Sequence, residues 1–415
     1  MDVYLNNAAT TWPKPPGVAV AMADFLTRSG ANLGRGSSSR RDLATLNMVL
    51  DCRIAISKLL GGYDDGNPQY VTFCSGVTEA LNVTLKGFLR PLLADEARRK
   101  RGRIPRVLST SMEHNAVVRP LRALEREGVS VVFLECGLEG ALDSELLEKT
   151  LKGENGDFDL MVLSHASNVC GTVQPLEKIA RLCRGAKLPL VVDTAQTAGL
   201  LPLSATELGV GALCFTGHKG LMGPQGIGGI VWNPEFASRV APLVEGGTGS
   251  YSHVETQPLD MPDKFEAGTP NLPGIAGLCA ALEWLDKQGI HAIAERENEL
   301  GGRFLKELRE TEGALLYGRP TMEGRLPVFS VNFLDPFGGF LDNGLLADRL
   351  LGLEGNGTEF YKSFETRPGL HCSPLAHRTL GTFPHGSLRI SPGYGNKPEE
   401  IDALWEAMRS CIGKN

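Results

Sequence analysis

Between residues 69 and 232 the chain repeats one pattern, a short run of apolar and β-branched residues followed by a stretch with helical spacing. The runs fall at 70–73, 106–109, 129–133, 160–163, 189–192, 212–215 and 229–232. A strand with one face in water alternates apolar and polar residues, whereas a strand covered on both faces is apolar almost throughout. These runs belong to the second kind. They predict an α/β domain built on a mostly parallel, seven-stranded sheet with helices on both sides. Ligands of such sheets sit at the C-terminal ends of the strands.

The flanking regions read differently. Leu43, Leu46, Leu50 and Ile54 predict an early helix with that face toward the core, and Gly61-Gly62 ends it. A long helical region covers 276–308 with an interruption near Gly289. After it come a strand at 328–331, a helix at 345–351 and a loop rich in glycine and proline. A last helix is expected to open at Asn396, as its cap, with Pro398 in its first turn. Its apolar face is Ile401, Leu404, Trp405 and Met408. A chain of 415 residues is too long for one small core. The expected division is a large domain over 13–285 and a smaller α+β domain over 286–415, joined by 1–12.

Several classes of function are disfavoured. Forty-eight acidic residues against 42 basic ones, a formal charge of -6, leave no surplus to neutralise nucleic-acid phosphates. The basic run Arg98-Arg99-Lys100-Arg101 follows Asp95-Glu96 and reads as a solvated helix end. No stretch approaches the roughly 20 apolar residues of a membrane span. Met1-Asp2-Val3-Tyr4 does not begin a secretion signal. Nine scattered cysteines form no disulfide framework, and no pair has metal-site spacing. The expectation is a cytoplasmic enzyme with no metal.

The chemistry concentrates where the apolar runs end. Thr216-Gly217-His218-Lys219-Gly220 follows the run 212–215. A lysine there is costly unless its charge is used or removed, and a Schiff base to an aldehyde cofactor removes it. A glycine-rich surface turn is the plainer alternative. Asp193 ends the run before it and suits the pyridinium nitrogen of such a cofactor, unless it merely caps a helix. Gln196 could donate to the ring's phenolic oxygen. Cys74-Ser75-Gly76-Val77-Thr78 joins a strand to a helix, where backbone N–H groups and the Thr78 hydroxyl suit a phosphate. His114 could stack on the ring, act as acid or base, or simply cap a helix. Asn168 follows another strand and reaches the same edge.

Taken together, these residues resemble the class V aminotransferase-like family of pyridoxal-phosphate enzymes, fold type I, and specifically its cysteine desulfurases and selenocysteine lyases. The resemblance runs from Tyr4-Leu5-Asn6-Asn7-Ala8-Ala9-Thr10-Thr11 through Glu113-His114-Asn115 and Ser167-Asn168-Val169-Cys170-Gly171-Thr172. It continues through Asp193-Thr194-Ala195-Gln196, Thr216-Gly217-His218-Lys219 and Phe265-Glu266-Ala267-Gly268-Thr269-Pro270-Asn271. It implies pyridoxal 5'-phosphate carried on Lys219, with Asp193 on the ring nitrogen and His114 stacked on the ring. Gln196 and Asn168 would contact ring oxygens or substrate. Gly76, Val77, Thr78, Thr216 and His218 would hold the phosphate, and Thr269 would reach the cofactor of a second subunit in a homodimer.

The family's nucleophile loop is matched by Arg367-Pro368-Gly369-Leu370-His371-Cys372-Ser373-Pro374. Cys372 is therefore the expected nucleophile, with His371 lowering its pKa or moving protons, unless it is another inert buried thiol. Arg389 and Arg367 are the expected holders of the substrate carboxylate, to which an arginine fork is suited. Two positions depart from the pattern: Asn6 stands where many relatives carry Asp, and Ser373 where Ala is common. The implied reaction takes sulfur from cysteine onto Cys372, releasing alanine, with a sulfur-acceptor protein downstream. Selenocysteine cleavage, another pyridoxal-phosphate lyase or aminotransferase, and an idle sulfur-relay protein are the rival readings.

Overall fold

A computed structural model describes residues 2–33, 39–352, 361 and 363–412. Its strands are β1 (Asp2–Tyr4), β2 (Val71–Cys74), β3 (Arg106–Thr110), β4 (Ser130–Leu134), β5 (Leu160–Ser164), β6 (Leu190–Asp193) and β7 (Ala212–Thr216). They continue with β8 (Gly228–Trp232), β9 (Ala314–Tyr317), β10 (Phe329–Phe333), β11 (Ser363–Glu365), β12 (Arg367–Gly369) and β13 (Ser387–Ile390). Seven strands form one sheet in the order β2-β8-β7-β6-β5-β3-β4. Only β8 runs against its neighbours. The other six point the same way, so the loops after β2, β3, β5, β6 and β7 all open on one edge.

The apolar runs are continuous because each strand feeds two cores. Leu160 and Val162 of β5 pack with Val107, Val191, Ala212 and Cys214 on one face. Met161 and Leu163 pack with Leu108, Val192, Leu213 and Phe215 on the other. A third core lies outside this sheet. There Phe304, Phe329 and Trp405 stack around the antiparallel sheet β12-β13-β10-β9. Ile401, Leu404 and Met408 of the last helix, Pro398–Ile412, join it as expected. Asn396 does not cap that helix: its side chain instead accepts the Gly393 N–H and donates to the Tyr4 carbonyl.

The first residues tie the cores together. Val3 and Leu5 belong to the third core, and β1 pairs with β11. The chain then crosses to the large sheet's open edge, where Thr10, Thr11 and Lys14 all donate to the His218 carbonyl.

One helix differs from its sequence reading. α1 (Pro16–Asp24) and α2 (Arg40–Leu60) both pack on the helix Leu272–Gln288. Gly61 ends α2 at φ 58°, where a Cβ would meet Ser204 at 2.4 Å. Yet Leu43, Leu46, Leu50 and Ile54 do not face the core and are 37–48% exposed. The buried face is Thr45, Val49, Cys52, Arg53, Ile56 and Leu60. Arg53 can face inward because Glu266 accepts its guanidinium at 2.6 Å and Phe73 stacks beneath it. α2 therefore carries two apolar stripes, and the more obvious one points to solvent.

Candidate active site

At the open edge, β6 and β7 are adjacent, and Asp193 is paired in register with Cys214, five residues before Lys219. Asp193 is buried, and burial raises its carboxyl pKa, while the Ala195 N–H it accepts at 2.8 Å and the Lys219 amine lower it. That bond closes a local turn and caps no helix. Burial lowers the Lys219 amine to about 8, with Asp193 opposing the shift and Arg389 and Arg367 adding to it.

Around this pair the edge supplies neutral rings and hydrogen-bond donors. His114 caps the helix Asn115–Glu127, its Nδ1 accepting the Ala116 N–H at 3.0 Å. The capping alternative is therefore realised, but the ring still feels Lys219, and burial with that charge lowers it to about 4. His218 is lowered to about 4 by burial and Lys219, and its buried Nδ1 has no partner in the protein. After β2, the helix Val77–Ala94 begins at Gly76, which gives no side-chain cap. A Cβ on Gly76 would lie 3.5 Å from Thr216 Oγ1, so the 76–78 turn and Thr216 share one corner. An uncapped helix start, two threonine hydroxyls and an unpartnered imidazole nitrogen fit a phosphate. A buried amine opposite a buried carboxylate fits an aldehyde-bearing pyridine.

The loop 367–374 closes over this edge. Cys372 is the exposed one of nine free thiols. His371 and Cys372 both hold left-handed backbone, at φ 48° and 60°, an unusual state for residues with side chains. Three bonds keep the loop there. Asn168 Nδ2 donates to the His371 carbonyl at 2.7 Å, Ser373 Oγ donates to Asn168 Oδ1 at 2.8 Å, and the Asn115 N–H donates to the Cys372 carbonyl at 2.8 Å. Asn168 thus commits one amide hydrogen to the loop, and Gln196 commits one to the Ala8 carbonyl at 3.1 Å. His371 departs from its expected role. It is buried and held neutral by burial and Arg389, and its Nε2 faces Ser387 Oγ at 3.4 Å.

Behind the thiol, Arg367 and Arg389 face each other across β12 and β13. Arg389 is 1% exposed, donates to the Asn168 carbonyl at 3.0 Å and to Asn6 Oδ1 at 2.7 Å, and is lowered to about 9 by burial and Arg367. Thr269 lies apart from this group. It is exposed on the rim of a cavity of about 240 Å³ that also touches Ser75, Glu79 and Asn271. Glu113, which directly precedes His114, carries no mark of its role in its sequence context. It is fully buried, accepts Thr110 Oγ1 and both the N–H and Oγ of Ser164 at 2.6–2.9 Å, and burial lifts it to about 7. Among the described residues no cluster could hold a metal, and no helix is long and apolar enough to cross a membrane.

The family profile described as aminotransferase class-V matches residues 3–404, which contain every group named above. The chain belongs to that family. Among its class-V relatives, a probable cysteine desulfurase of Pyrococcus abyssi is 31% identical over 99% of this chain and 94% of its own. One from Methanothermobacter thermautotrophicus is 28% identical over 99% and 95%. The apo structure of a cysteine desulfurase from Thermococcus onnurineus NA1 superposes with a TM-score of 0.86 at 26% identity, covering 100% of this chain and 95% of that one. The S-sulfonic acid form of Escherichia coli CsdA gives 0.80 at 26% identity, over 99% and 94%.

The class-V scaffold makes Ser373 testable as a pin. Ser373→Ala leaves Asn168 Oδ1 buried without that donor, a loss of about 1–3 kcal/mol. Amide exchange over residues 370–374 should accelerate, while exchange in β5 and β6 stays as in the wild type. Unchanged exchange in the loop would mean that the other two bonds suffice.

Proposed function

We propose that the protein is a cysteine desulfurase that binds pyridoxal 5'-phosphate on Lys219 and transfers the sulfur of cysteine to Cys372. The observation that carries this reading is the thiol itself. Cys372 is exposed, fixed in left-handed backbone by three hydrogen bonds, and close enough to Lys219 and Arg389 to alter their charge equilibria. Transamination needs no such thiol.

In this reading Lys219 Nζ, Asp193, His114, Gln196 and Asn168 surround the ring, and Gly76, Val77, Thr78, Thr216 and His218 surround the phosphate. The bound cofactor supplies the electron sink that acidifies the substrate's Cα–H. Arg389 and Arg367 hold the carboxylate and so orient the substrate. Lys219 Nζ, once free, accepts the Cα proton, which a pKa near 8 suits it to do at neutral pH. The Cys372 thiolate attacks the substrate sulfur. The Cβ–S bond breaks as the S–S bond forms, its electron pair stays with the carbon skeleton, and one proton from the medium completes alanine. The persulfide stands at the surface, open to the thiol of an acceptor protein. Nine free thiols fit a reducing cytoplasm.

A homodimer completes the proposal. Thr269 is exposed on the rim of the cavity it shares with Ser75 and Glu79, open to a second copy. The outward stripe of α2, with Val20 and Leu26 beside it at 58% and 67% exposure, offers an apolar surface for that copy.

Four measurements test the reading. Borohydride reduction of protein loaded with pyridoxal phosphate should fix the cofactor on the peptide containing Lys219, and a label on Lys178 or Lys187 would refute that. Uptake by cofactor-free protein requires the neutral amine, so its rate should climb as pH rises through about 8 and level off above. A rate still climbing near pH 10, about where an ordinary lysine titrates, would deny the buried environment. Cys372→Ala should abolish alanine release from cysteine while retaining activity with selenocysteine, whose selenol is ionised at neutral pH and leaves without thiolate attack. Full cysteine activity in that variant removes Cys372 from the mechanism. Leu46→Gln with Leu50→Gln should yield monomers in sedimentation velocity at concentrations where the wild type is dimeric, and a fully active wild-type monomer would sink the dimer.

A further inference from the structure

Arg389 is among the largest side chains in the molecule with less than 2% exposure, and among the described residues no carboxylate pairs with it. Its hydrogen-bond partners are a carbonyl oxygen, that of Asn168, and an amide oxygen, that of Asn6. Its Nε is buried without a partner. Among the described residues it makes no ion pair with any carboxylate. The groups that act on it electrostatically are the Arg367 guanidinium across the strand pair, the Tyr4 hydroxyl and the Cys372 thiol. Lys219, His114, His371 and His377 sit within its field as well, and all are bases. An isolated charge out of water is costly, and removing it from a pair leaves the partner as a strong attractor for any ion that can reach it.

Asn6 occupies a place where the protein could have supplied the counter-charge. Its Oδ1 lies 2.7 Å from Arg389 Nη2, the distance of a charge-assisted bond. Its backbone is fixed on the strap between β1 and the open edge by the isolated bridge to Ser391 and by the Tyr4 hydroxyl on its carbonyl. Asparagine and aspartate have the same shape. The amide orients the guanidinium equally well but leaves its full charge available.

We propose that Asn6 is a specificity-setting positioning residue, which holds Arg389 in place while leaving the substrate's carboxylate as its one carboxylate partner. This rests on the reading of Arg389 as the carboxylate holder. Its consequence is that stability and binding trade against each other at position 6. An internal carboxylate there stabilises the empty site and competes with the substrate. A neutral acceptor leaves the empty site strained and the filled one favoured.

The test compares Asn6→Asp, Asn6→Ser and Arg389→Gln. Two readouts are taken: cysteine kinetics, and competitive inhibition by 3-mercaptopropionate, which has the carboxylate and thiol but no amine. Thermal unfolding of the ligand-free protein is followed alongside. Asn6→Asp should raise both KM and the inhibition constant about tenfold, roughly 1.4 kcal/mol, change kcat less than about twofold, and raise the unfolding temperature. A residue with only a structural role would move binding and stability down together. Asn6→Ser, a shorter neutral acceptor, should keep both constants within about threefold of wild type. If Asn6→Asp leaves both constants unchanged while Arg389→Gln raises them, the proposal about Asn6 fails and the carboxylate assignment stands. If Arg389→Gln leaves them unchanged too, the assignment itself is wrong. Should Asn6→Asp not fold, Asn6→Ser raising both constants as much as Arg389→Gln would equally overturn the idea that neutrality is what matters.

Discussion

A half-buried lysine three residues beyond β7 lies in the field of a buried aspartate at the end of β6, and much of the fold exists to make that arrangement tolerable. Each group alone would be expelled or neutralised. Together, Asp193 raises the pKa of Lys219 against the effect of burial, and Lys219 lowers that of Asp193. The parallel direction of β6 and β7 brings them to one edge, and the two apolar cores on either face keep water from entering behind them. The same geometry explains the neutral histidines. Burial first, and then the charges of Lys219, Arg389 and Arg367, keep His114 neutral; burial with Arg389 does so for His371, and burial with Lys219 and Lys14 for His218, so all three are rings and acceptors and add no charge.

The large sheet was legible because its signal is redundant. All its strands but the edge strand β4 are largely buried on both faces, and Asp193, His114, Asn168 and Lys219 lie at or just past strand ends, so position along the chain translates into position on an edge. The α2 helix was misread for the opposite reason. Its sequence carries two helical stripes, and the one made of leucine and isoleucine outscores the one containing Thr45 and Arg53 on hydrophobicity alone. Only the distant Glu266 and the ring of Phe73 show why an arginine belongs inside. Periodicity cannot report a partner two hundred residues away.

At the site, residue types were readable but their second tasks were not. His114 both caps a helix and faces Lys219. Asn168 holds the nucleophile loop by its side chain and Arg389 by its carbonyl. Glu113 is invisible to sequence reasoning except as the neighbour of a histidine, yet it joins β3 to the residue of β5 that pairs with Asp193. The two departures from the familial pattern, Asn6 and Ser373, turn out to touch Arg389 and Asn168 directly. Ser373 adds a hydrogen bond where alanine would only pack, and Asn6 puts a neutral acceptor where aspartate would bring a charge.

The strap formed by residues 3–11 also bears on how the molecule is made. Asn7 bonds Ser391, 384 positions on, and Thr10 bonds His218, 208 positions on. Contacts of such sequence separation form late, because the loop they close must first be ordered. Thr10, Thr11 and Lys14 are made before His218 and can clasp its loop once it emerges, but Arg389 cannot meet Asn6 until residue 389 has been made. Partly made or truncated chains would be folded in their centre yet chemically silent, so that reactive sulfur is produced only by finished molecules.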